Sequence, residues 1–375
     1  MQLDPILAEA VRLQATDVHL RVGSPAILRV DGDIRAFDET ALTAADTRQA
    51  VEWVLRNHRV ELQAGRELDI GYAVEGLGRF RANIFTEGGQ IGLVLRVMPP
   101  SPKDIASLHL PNVLSEVACE ERGLVLVTGV TGSGKSTTLA AMIDHVNQHL
   151  RKHIVTVEDP IEYVHEEKQC LITQRQIGVD TSDFAMALRA ALRQDPDVIL
   201  IGEMRDRETI DSALLAAETG HMVFSTLHTV DAYETISRIL ATYPPHQQQQ
   251  VRTQMADVLR AVVSQRLLPH ASGSGLVPAV EILINTKFVS ECIRDEKRTH
   301  RLTDVMADGA AQYGMQTFDQ SLLALVENQF ITEEVAIAAA TSPNDLKLQL
   351  RGIVNSMQAR KVATGTVGLG PAGSM

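Results

Sequence analysis

The sequence predicts an α/β protein with a P-loop core, a smaller α+β segment before it and a mostly helical segment after it. Three observations lead to this prediction. Aliphatic runs alternate with helical patterns in the middle of the chain, as in a parallel sheet covered by helices. A glycine-rich phosphate-binding motif joins the first of these runs to a helix. Strand and helix periods are mixed before residue 98, and helical periods dominate after residue 271.

The size and charge of the chain indicate a folded, multidomain protein that does not bind nucleic acid directly. The chain has 375 residues, 45% of them hydrophobic, with 35 Lys and Arg against 47 Asp and Glu, a net charge of −12. This length predicts two or three domains with real cores and excludes disorder as the main description. The acidic balance argues against direct nucleic-acid binding, because that affinity comes largely from neutralising phosphates.

Cysteine usage and the absence of targeting signals indicate the compartment. Cys119, Cys170 and Cys292 are scattered and lack C-x-x-C spacing, so they form neither a disulfide framework nor a four-thiolate zinc site. The start lacks a basic segment followed by an apolar one, and no apolar run approaches the ~18 residues of a membrane span. We expect a cytoplasmic protein without a transmembrane segment.

The order of patterns predicts the domain organisation. Residues 1–98 read as an α+β domain: a helix from Leu3 to Val11, alternating residues from Val18 to Val22, a hairpin signal at Asp31-Gly32, a helix at 43–57 and three strands within 68–98. A proline-punctuated linker follows at 99–112. The core spans 113–270, with strands at 124–127, 154–157, 198–201 and 222–226. We predict a helical C-terminal region at 271–360 and a disordered, glycine-rich tail at 361–375.

The strongest motif is a complete phosphate-binding loop. It follows an apolar strand and opens a helix, which is the context that this motif requires. Its glycines let successive N–H groups face phosphate oxygens, Lys135 adds a charge toward the β and γ phosphates, and Ser136 is a predicted Mg²⁺ ligand. The predicted ATP-binding residues are Gly129, Val130, Thr131, Gly132, Ser133, Gly134, Lys135, Ser136 and Thr137.

Acidic residues at two other strand ends are candidates for the metal and the attacking water. Glu203 ends the apolar run 198–201 in the Walker B position, where it is predicted to hold Mg²⁺ together with Ser136. Glu158 and Glu162 follow the strand at 154–157, and either one is predicted to orient and deprotonate water. Which of Glu158, Glu162 and Glu203 is the general base stays open, and a solvated acidic turn is the alternative for Glu158 and Glu162.

A histidine at a further strand end is a candidate γ-phosphate sensor. His228 follows the strand at 222–226 and is predicted to contact the γ phosphate. His221 precedes the same strand, and a structural role is the alternative for both histidines.

Four motifs in this order resemble the secretion ATPase superfamily, and within it the retraction ATPases of type IV pili. They are GVTGSGKST, TVEDPIEY, DPDVILIGEMRDRETI and AAETGHMVFSTLHT, with further similarity at DVHL, ELDIGY, GRFRANIF, SQRLLP and GMQTFDQSL. The resemblance implies a PAS-like N-terminal domain on a RecA-like core, ATP and Mg²⁺ as ligands, and a homohexamer. It also implies that Arg81 and Arg96 act as arginine fingers, with a solvent-exposed arginine as the alternative, which fits Arg79 better than Arg81.

The resemblance further implies a motor that depolymerises pilin by turning a pilus platform protein in the inner membrane. The protein is then cytoplasmic and peripheral at that membrane, working beside a second retraction or assembly ATPase. The chain lacks the four-cysteine insertion of assembly and secretion relatives, which argues against an extension motor. It keeps only the Ile-Arg core of the AIRNLIRE motif, at Ile293-Arg294, which leaves an accessory retraction ATPase as an alternative. A RecA-like nucleic-acid translocase is the remote alternative.

Overall fold

The computed structural model describes residues 3–30, 32–56, 67–98 and 101–352. These residues form two compact units. The first comprises the chain up to Asp104, Ala118–Leu124 and Ser136–Thr226, and the second comprises Ile105–Val117, Val125–Lys135 and the chain from Leu227 onward. Within the described ranges, every helix is too short or too polar to cross a bilayer.

The first unit begins with a six-stranded antiparallel sheet of order β3-β2-β1-β6-β5-β4. Its strands are β1 (Asp17–Leu20), β2 (Ile27–Val30), β3 (Asp33–Ala36), β4 (Leu68–Val74), β5 (Gly78–Glu87) and β6 (Gln90–Val97). Helices α1 (Leu3–Arg12) and α2 (Ala44–Leu55) contact this sheet at β1 and β6, respectively. The predicted periodicity is confirmed, since α1 buries Leu3, Ile6, Leu7 and Ala10. Thr43 and Asp46 form a capping box that begins α2.

The core of this sheet supplies a test of its stability. Phe80 on β5 is fully buried, whereas Ile34 on β3 is 64% exposed. We expect Phe80→Ala to lower the free energy of unfolding by about 3–5 kcal/mol, because it removes apolar contacts and leaves a cavity. Ile34→Ala is the matched control and is expected to change it by about 0.5 kcal/mol or less. Urea denaturation measures both, and equal losses from the two variants would contradict this packing.

A seven-stranded sheet has the order β13-β12-β7-β11-β10-β8-β9. Its first five strands along the chain are β7 (Gly123–Thr128), β8 (His153–Glu158), β9 (Leu171–Gln176), β10 (Val198–Ile201) and β11 (Met222–Leu227). Strands β11, β10, β8 and β9 pair in parallel, which confirms the predicted α/β class. The helices in this part are α3 (Val113–Ala118), α4 (Lys135–His149), α5 (Phe184–Ala191) and α6 (Arg207–Glu218).

The second unit contains a long hairpin and the C-terminal helices. Strands β12 (Leu259–Pro269) and β13 (Leu276–Ile284) pair antiparallel from Ala261↔Ile284 to Pro269↔Leu276. The helices are α7 (Ala232–Ala241), α8 (Pro245–Val258), α9 (Lys287–Arg294), α10 (Leu302–Asp308), α11 (Ala310–Tyr313), α12 (Phe318–Glu327) and α13 (Glu333–Ala339), with a 3₁₀ helix at Glu296–Arg301. Phe318 and Leu322 of α12 share a core with Val277 and Ala279 of β13.

Strand β13 corrects the prediction of a mostly helical pattern from residue 271. Gly273 and Gly275 have φ angles of 79° and 82°, which turn the chain back on itself. The β-branched and aliphatic residues after this turn then extend along β12 and become buried. The predicted helical character holds from Lys287 onward among the described residues.

Several predicted features lie outside the described residues. They are Asp31 of the first hairpin signal, Pro99 and Pro100 of the linker, the end of the helical region from residue 353, and the tail at 361–375. The predicted domain boundaries stay predictions.

Candidate functional site

The phosphate loop, residues 129–135, joins the end of β7 to the start of α4. Gly129, Gly132 and Gly134 have φ angles of 146°, 78° and 90°, a region that favours glycine. A Cβ on Gly129 would lie 2.5 Å from the carbonyl oxygen of Gln265. A Cβ on Gly134 would lie 2.7 Å from Nε2 of the Gln265 side chain. Glycine is therefore required at position 129 by conformation and by close packing against the backbone, and it is favoured at position 134 by conformation.

Lys135 lies over the carbonyl oxygens of its own loop. Its Nζ donates hydrogen bonds to Gly129 O at 2.8 Å and Val130 O at 3.0 Å, and the residue is 8% exposed. Ser133 is 2% exposed, and its Oγ has no hydrogen-bond partner in the described part of the chain. Backbone N–H groups, an ammonium group and an unsatisfied hydroxyl make this loop suited to a polyphosphate.

The first turn of α4 lies beside the carboxyl ends of three strands. Ser136 lines a cavity of about 40 Å³ together with Glu158 at the end of β8, Gly202 after β10 and Thr226 of β11. Thr137 Oγ1 is hydrogen-bonded to Tyr163 Oη at 3.0 Å. The structure thus brings Ser136 close to the residue that precedes Glu203.

Glu158 is enclosed by hydrogen-bond donors. Its Oε1 accepts from Thr156 Oγ1 at 2.7 Å and from Gln174 Nε2 at 3.3 Å. Burial raises the pKa of Glu158, while these donors and the backbone of Glu162 oppose the rise. Burial lowers the pKa of His165, which lines the same cavity, to about 4, so this imidazole is neutral at physiological pH.

Glu162 and Glu203, the other two candidate acids, are both partly exposed. Glu162 is half-buried in the segment after β8. Glu203 is 17% exposed along its side chain and pairs with Arg205, whose Nε lies 2.6 Å from its Oε1. Arg205 itself is 72% exposed. A bound cation can therefore replace Arg205 as the partner of Glu203 at little cost. An ion pair with an exposed arginine contributes about 1 kcal/mol or less to stability.

The two histidines lie at opposite ends of β11. His221 precedes the strand, and its Nδ1 lies 2.9 Å from Ala216 O at the end of α6, which favours the structural alternative. His228 follows the strand and is exposed.

Arg81 and Arg96 form a cross-strand pair between β5 and β6. The Nε of Arg81 lies 3.3 Å from Asp69 Oδ1, and that of Arg96 lies 3.0 Å from Asp17 Oδ1. The Arg81 side chain is 34% exposed and the Arg96 side chain is 63% exposed. In this structure, therefore, both guanidinium groups are held by aspartates of their own sheet.

Arg79 is less exposed than the sequence predicts. It is half-buried, and its Nη2 would lie 2.7 Å from a Cβ on Gly71. Burial lowers the pKa of Arg79, while the charges of Glu158 and Asp180 raise it. Gly71, which has no side chain, leaves the space that Arg79 occupies near Glu158 and Asp180.

Residues of β12 and β9 that support the site are not predicted by the sequence. Ser264 and Gln265 are buried polar residues in the middle of β12, and their burial depends on strand pairing that the sequence does not reveal. Gln174, which donates to both Glu158 and the carbonyl of Tyr163, gives no signal in the sequence either.

Comparisons with known proteins show which family and which chains this chain resembles. The family model of the type II/IV secretion system proteins matches residues 1–312. Over 346 residues the chain is 42% identical to the type IV pilus retraction ATPase PilT of Pseudomonas aeruginosa, covering 92% of this chain and 100% of the relative. Over 352 residues it is 38% identical to the type IV pilus ATPase PilU of that organism, covering 94% and 92%.

A solved structure gives the same result at the level of the fold. The crystal structure of the pilus retraction motor PilT with bound ADP superimposes with a TM-score of 0.84 at 44% identity. The match covers 92% of this chain and 99% of that chain.

Proposed function

The chain belongs to the family of type II/IV secretion system proteins, and we propose that it is the ATP-driven motor that retracts a type IV pilus. The chain is an ATPase, as the sequence predicts and its likeness to PilT bears out. The observation that carries the proposal is the phosphate loop between β7 and α4 in a chain that matches PilT over 92% of its length. ATP hydrolysis then drives depolymerisation of pilin.

ATP binds at the phosphate loop in this proposal. The ammonium group of Lys135 exchanges the carbonyls of Gly129 and Val130 for β and γ phosphate oxygens, which accept stronger, charge-assisted hydrogen bonds. The unpartnered hydroxyl of Ser133 gains an acceptor. The ADP in the PilT structure supports nucleotide as the ligand of this loop.

Ser136 and Glu203 would hold Mg²⁺. Hydroxyl and carboxylate oxygens are the donors that this ion prefers, and Ser136 lines the same cavity as Gly202. When bound, the ion neutralises charge on the phosphate oxygens. Glu203 leaves its exposed partner Arg205 to take this role.

Glu162 orients and deprotonates the attacking water in this proposal. The Oε1 of Glu158 is already engaged by Thr156 and Gln174, which suits that carboxyl to fixing the segment after β8. Glu162 is half-buried and remains close enough to influence the charge of Glu158. His228, exposed after β11, contacts the γ phosphate.

Arg81 and Arg96 complete the site when the subunit closes on ATP. Each must exchange an aspartate for a phosphate, which couples the chemistry to domain movement. We expect Arg81→Ala and Arg96→Ala to lower kcat by about a hundredfold or more, since an arginine finger stabilises charge in the transition state. Steady-state ATPase assays measure kcat, and a fluorescent ATP analogue measures affinity, which is expected to stay within about threefold because ground-state binding is retained.

The control for this prediction is Arg35→Ala, because Arg35 is an exposed arginine of the same sheet. It is expected to leave kcat unchanged. If the Arg81 and Arg96 variants hydrolyse ATP as fast as the Arg35 variant, these residues are strand-face arginines without a catalytic role.

We propose a homohexamer that docks on the inner-membrane platform protein of the pilus. The chain is then cytoplasmic and peripheral to the membrane, and it works beside a second retraction or assembly ATPase. Coupling through a partner is consistent with the lack, in the described ranges, of a helix that could cross a bilayer.

The accessory retraction ATPase is the second candidate, favoured by the likeness to PilU but less well supported than the principal motor. A count of surface pili in a deletion strain distinguishes them. Excess pili with lost twitching motility, restored by the wild-type gene, is the result expected for the principal motor. Normal pilus numbers with partial motility would identify the accessory motor, and cells without pili would contradict retraction.

A further inference from the structure

Glu281 is a buried acid in the second unit. It lies on β13, is 5% exposed and stands directly opposite Ser264 of β12. Its Oε1 accepts a hydrogen bond from the backbone N–H of Ala232 at 2.8 Å, and the side chain of Ser264 lies close enough to lower the pKa of the same carboxyl group by hydrogen bonding. Ala232 begins α7, directly after the histidine loop, residues 228–231. Glu281 therefore satisfies one of the N–H groups that a helix start leaves unpaired.

Ser264 extends this contact to the phosphate loop. Thr128 Oγ1 donates to Ser264 Oγ at 3.0 Å, and both side chains are fully buried. Thr128 ends β7 directly before Gly129. The next residue of β12, Gln265, packs against both Gly129 and Gly134. One hydrogen-bonded chain thus runs from α7 through β13 and β12 to the start of the phosphate loop.

The charge of Glu281 decides the direction of these hydrogen bonds. Because Thr128 donates to Ser264, the hydrogen of the Ser264 hydroxyl is available for Glu281, which accepts it as a carboxylate. A protonated carboxyl group carries a hydrogen of its own. A protonated carboxyl group is also a weaker acceptor than a carboxylate, so protonation weakens the hydrogen bonds from Ala232 and Ser264.

Charged groups face Glu281 from α7 and from β12. Burial and the negative charge of Asp231, the N-cap of α7, raise the pKa of Glu281 to about 7. The hydrogen bonds from Ala232 and Ser264 and the charge of Arg266 on β12 act in the opposite direction. The two protonation states of Glu281 therefore interchange near neutral pH.

We propose that Glu281 is a positioning residue for ATP hydrolysis, whose ionised carboxylate holds the start of α7 and, through Ser264 and Thr128, the start of the phosphate loop in their working geometry. The proposal rests on the ATPase function. Glu281 itself contacts neither the nucleotide nor the attacking water. The rate of hydrolysis nevertheless depends on whether a proton is bound to Glu281, away from the reacting atoms.

The pH profile of kcat in the full-length protein tests this proposal. We expect wild-type kcat to fall about tenfold from pH 8 to pH 6, since about one-eleventh of a group with this pKa is ionised at pH 6. Glu281→Gln keeps an oxygen for the Ala232 N–H but cannot titrate. We expect its kcat to be lower than wild type at pH 8 and constant from pH 6 to pH 8, with unchanged affinity for a fluorescent ATP analogue.

Two further variants separate positioning from folding. Asp231→Asn keeps the helix cap, because Asn caps as well as Asp, and removes a charge that raises the pKa of Glu281. We expect it to move the acidic fall in kcat to lower pH. Thr128→Val removes the hydrogen bond to Ser264 and is expected to weaken the acidic fall, so this variant carries the test if Glu281→Gln does not fold.

The results that would overturn the proposal are specific. An acidic fall in kcat that is identical in wild type, Glu281→Gln and Asp231→Asn assigns it to another group. A Glu281→Gln variant with reduced stability, measured by thermal unfolding, but an unaltered pH profile makes Glu281 merely structural. Lys135→Ala in the same assay keeps the two claims apart, because its full activity would contradict the ATPase site itself and not the role of Glu281.

Discussion

Lys135→Ala is expected to lower kcat/KM for ATP by about a hundredfold or more. The ammonium group is fixed by two carbonyls of the phosphate loop and lies in a nearly buried position. The ammonium group therefore needs little reorganisation to donate hydrogen bonds to phosphate oxygens. Removing a preorganised donor of this kind lowers kcat by a factor of about 10²–10³. The loss is expected in both binding and turnover, because the charge acts on the ground state and on the transition state.

Lys287→Ala is the matched control, since Lys287 is an exposed lysine at the start of α9. We expect it to retain wild-type ATPase activity. Circular dichroism and gel filtration establish that both variants are folded and assembled as the wild type is. Turnover by Lys135→Ala at the rate of Lys287→Ala would mean that the phosphate loop does not bind the reacting nucleotide.

Glu203→Gln is expected to bind ATP and to hydrolyse it about a hundredfold or more slowly. The amide keeps the size of the side chain but removes the charge proposed to hold Mg²⁺. It also weakens the ion pair with Arg205, which is mostly exposed, so stability is expected to change by about 1 kcal/mol or less. A single-turnover assay with radiolabelled ATP separates the retained binding from the slow chemistry.

Glu208→Gln provides the comparison for this variant. Glu208 lies on α6, a few residues beyond Glu203, and pairs with Arg189 in an exposed position. The same chemical change there is expected to leave hydrolysis intact. Rapid hydrolysis by a folded Glu203→Gln variant would remove Glu203 from the site and leave Glu158 and Glu162 as the candidate acids.

The local parts of the site could be predicted from the sequence because their residues are close together in the chain. The strand, the glycine loop and the helix around Lys135 lie within one short segment, and hydrophobic periodicity identifies the flanking elements. The acidic strand ends at Glu158 and Glu203 follow from the same reasoning, since the carboxyl ends of parallel strands lie at one edge of a sheet. In the structure, Ser136 lines one cavity together with Glu158 and with Gly202, the residue before Glu203.

The supporting residues could not be predicted because they depend on strand pairing across long separations. Thr128 and Ser264 are 136 residues apart and meet only because of the order in which strands enter the sheet. Glu281 lies on a strand that the helical pattern obscured. The interactions of Arg79 depend on the missing side chain at Gly71, which is visible only in three dimensions.

The shortening of labelled pili in living cells tests whether this protein is an ATP-driven retraction motor. A strain that lacks this gene is complemented either with the wild type or with Lys135→Ala, and the shortening of fluorescent pili is followed over time. We expect pili to shorten in cells with the wild-type protein and to stay extended in cells with Lys135→Ala. Pili that shorten at the wild-type rate in the Lys135→Ala strain would contradict an ATP-driven retraction motor.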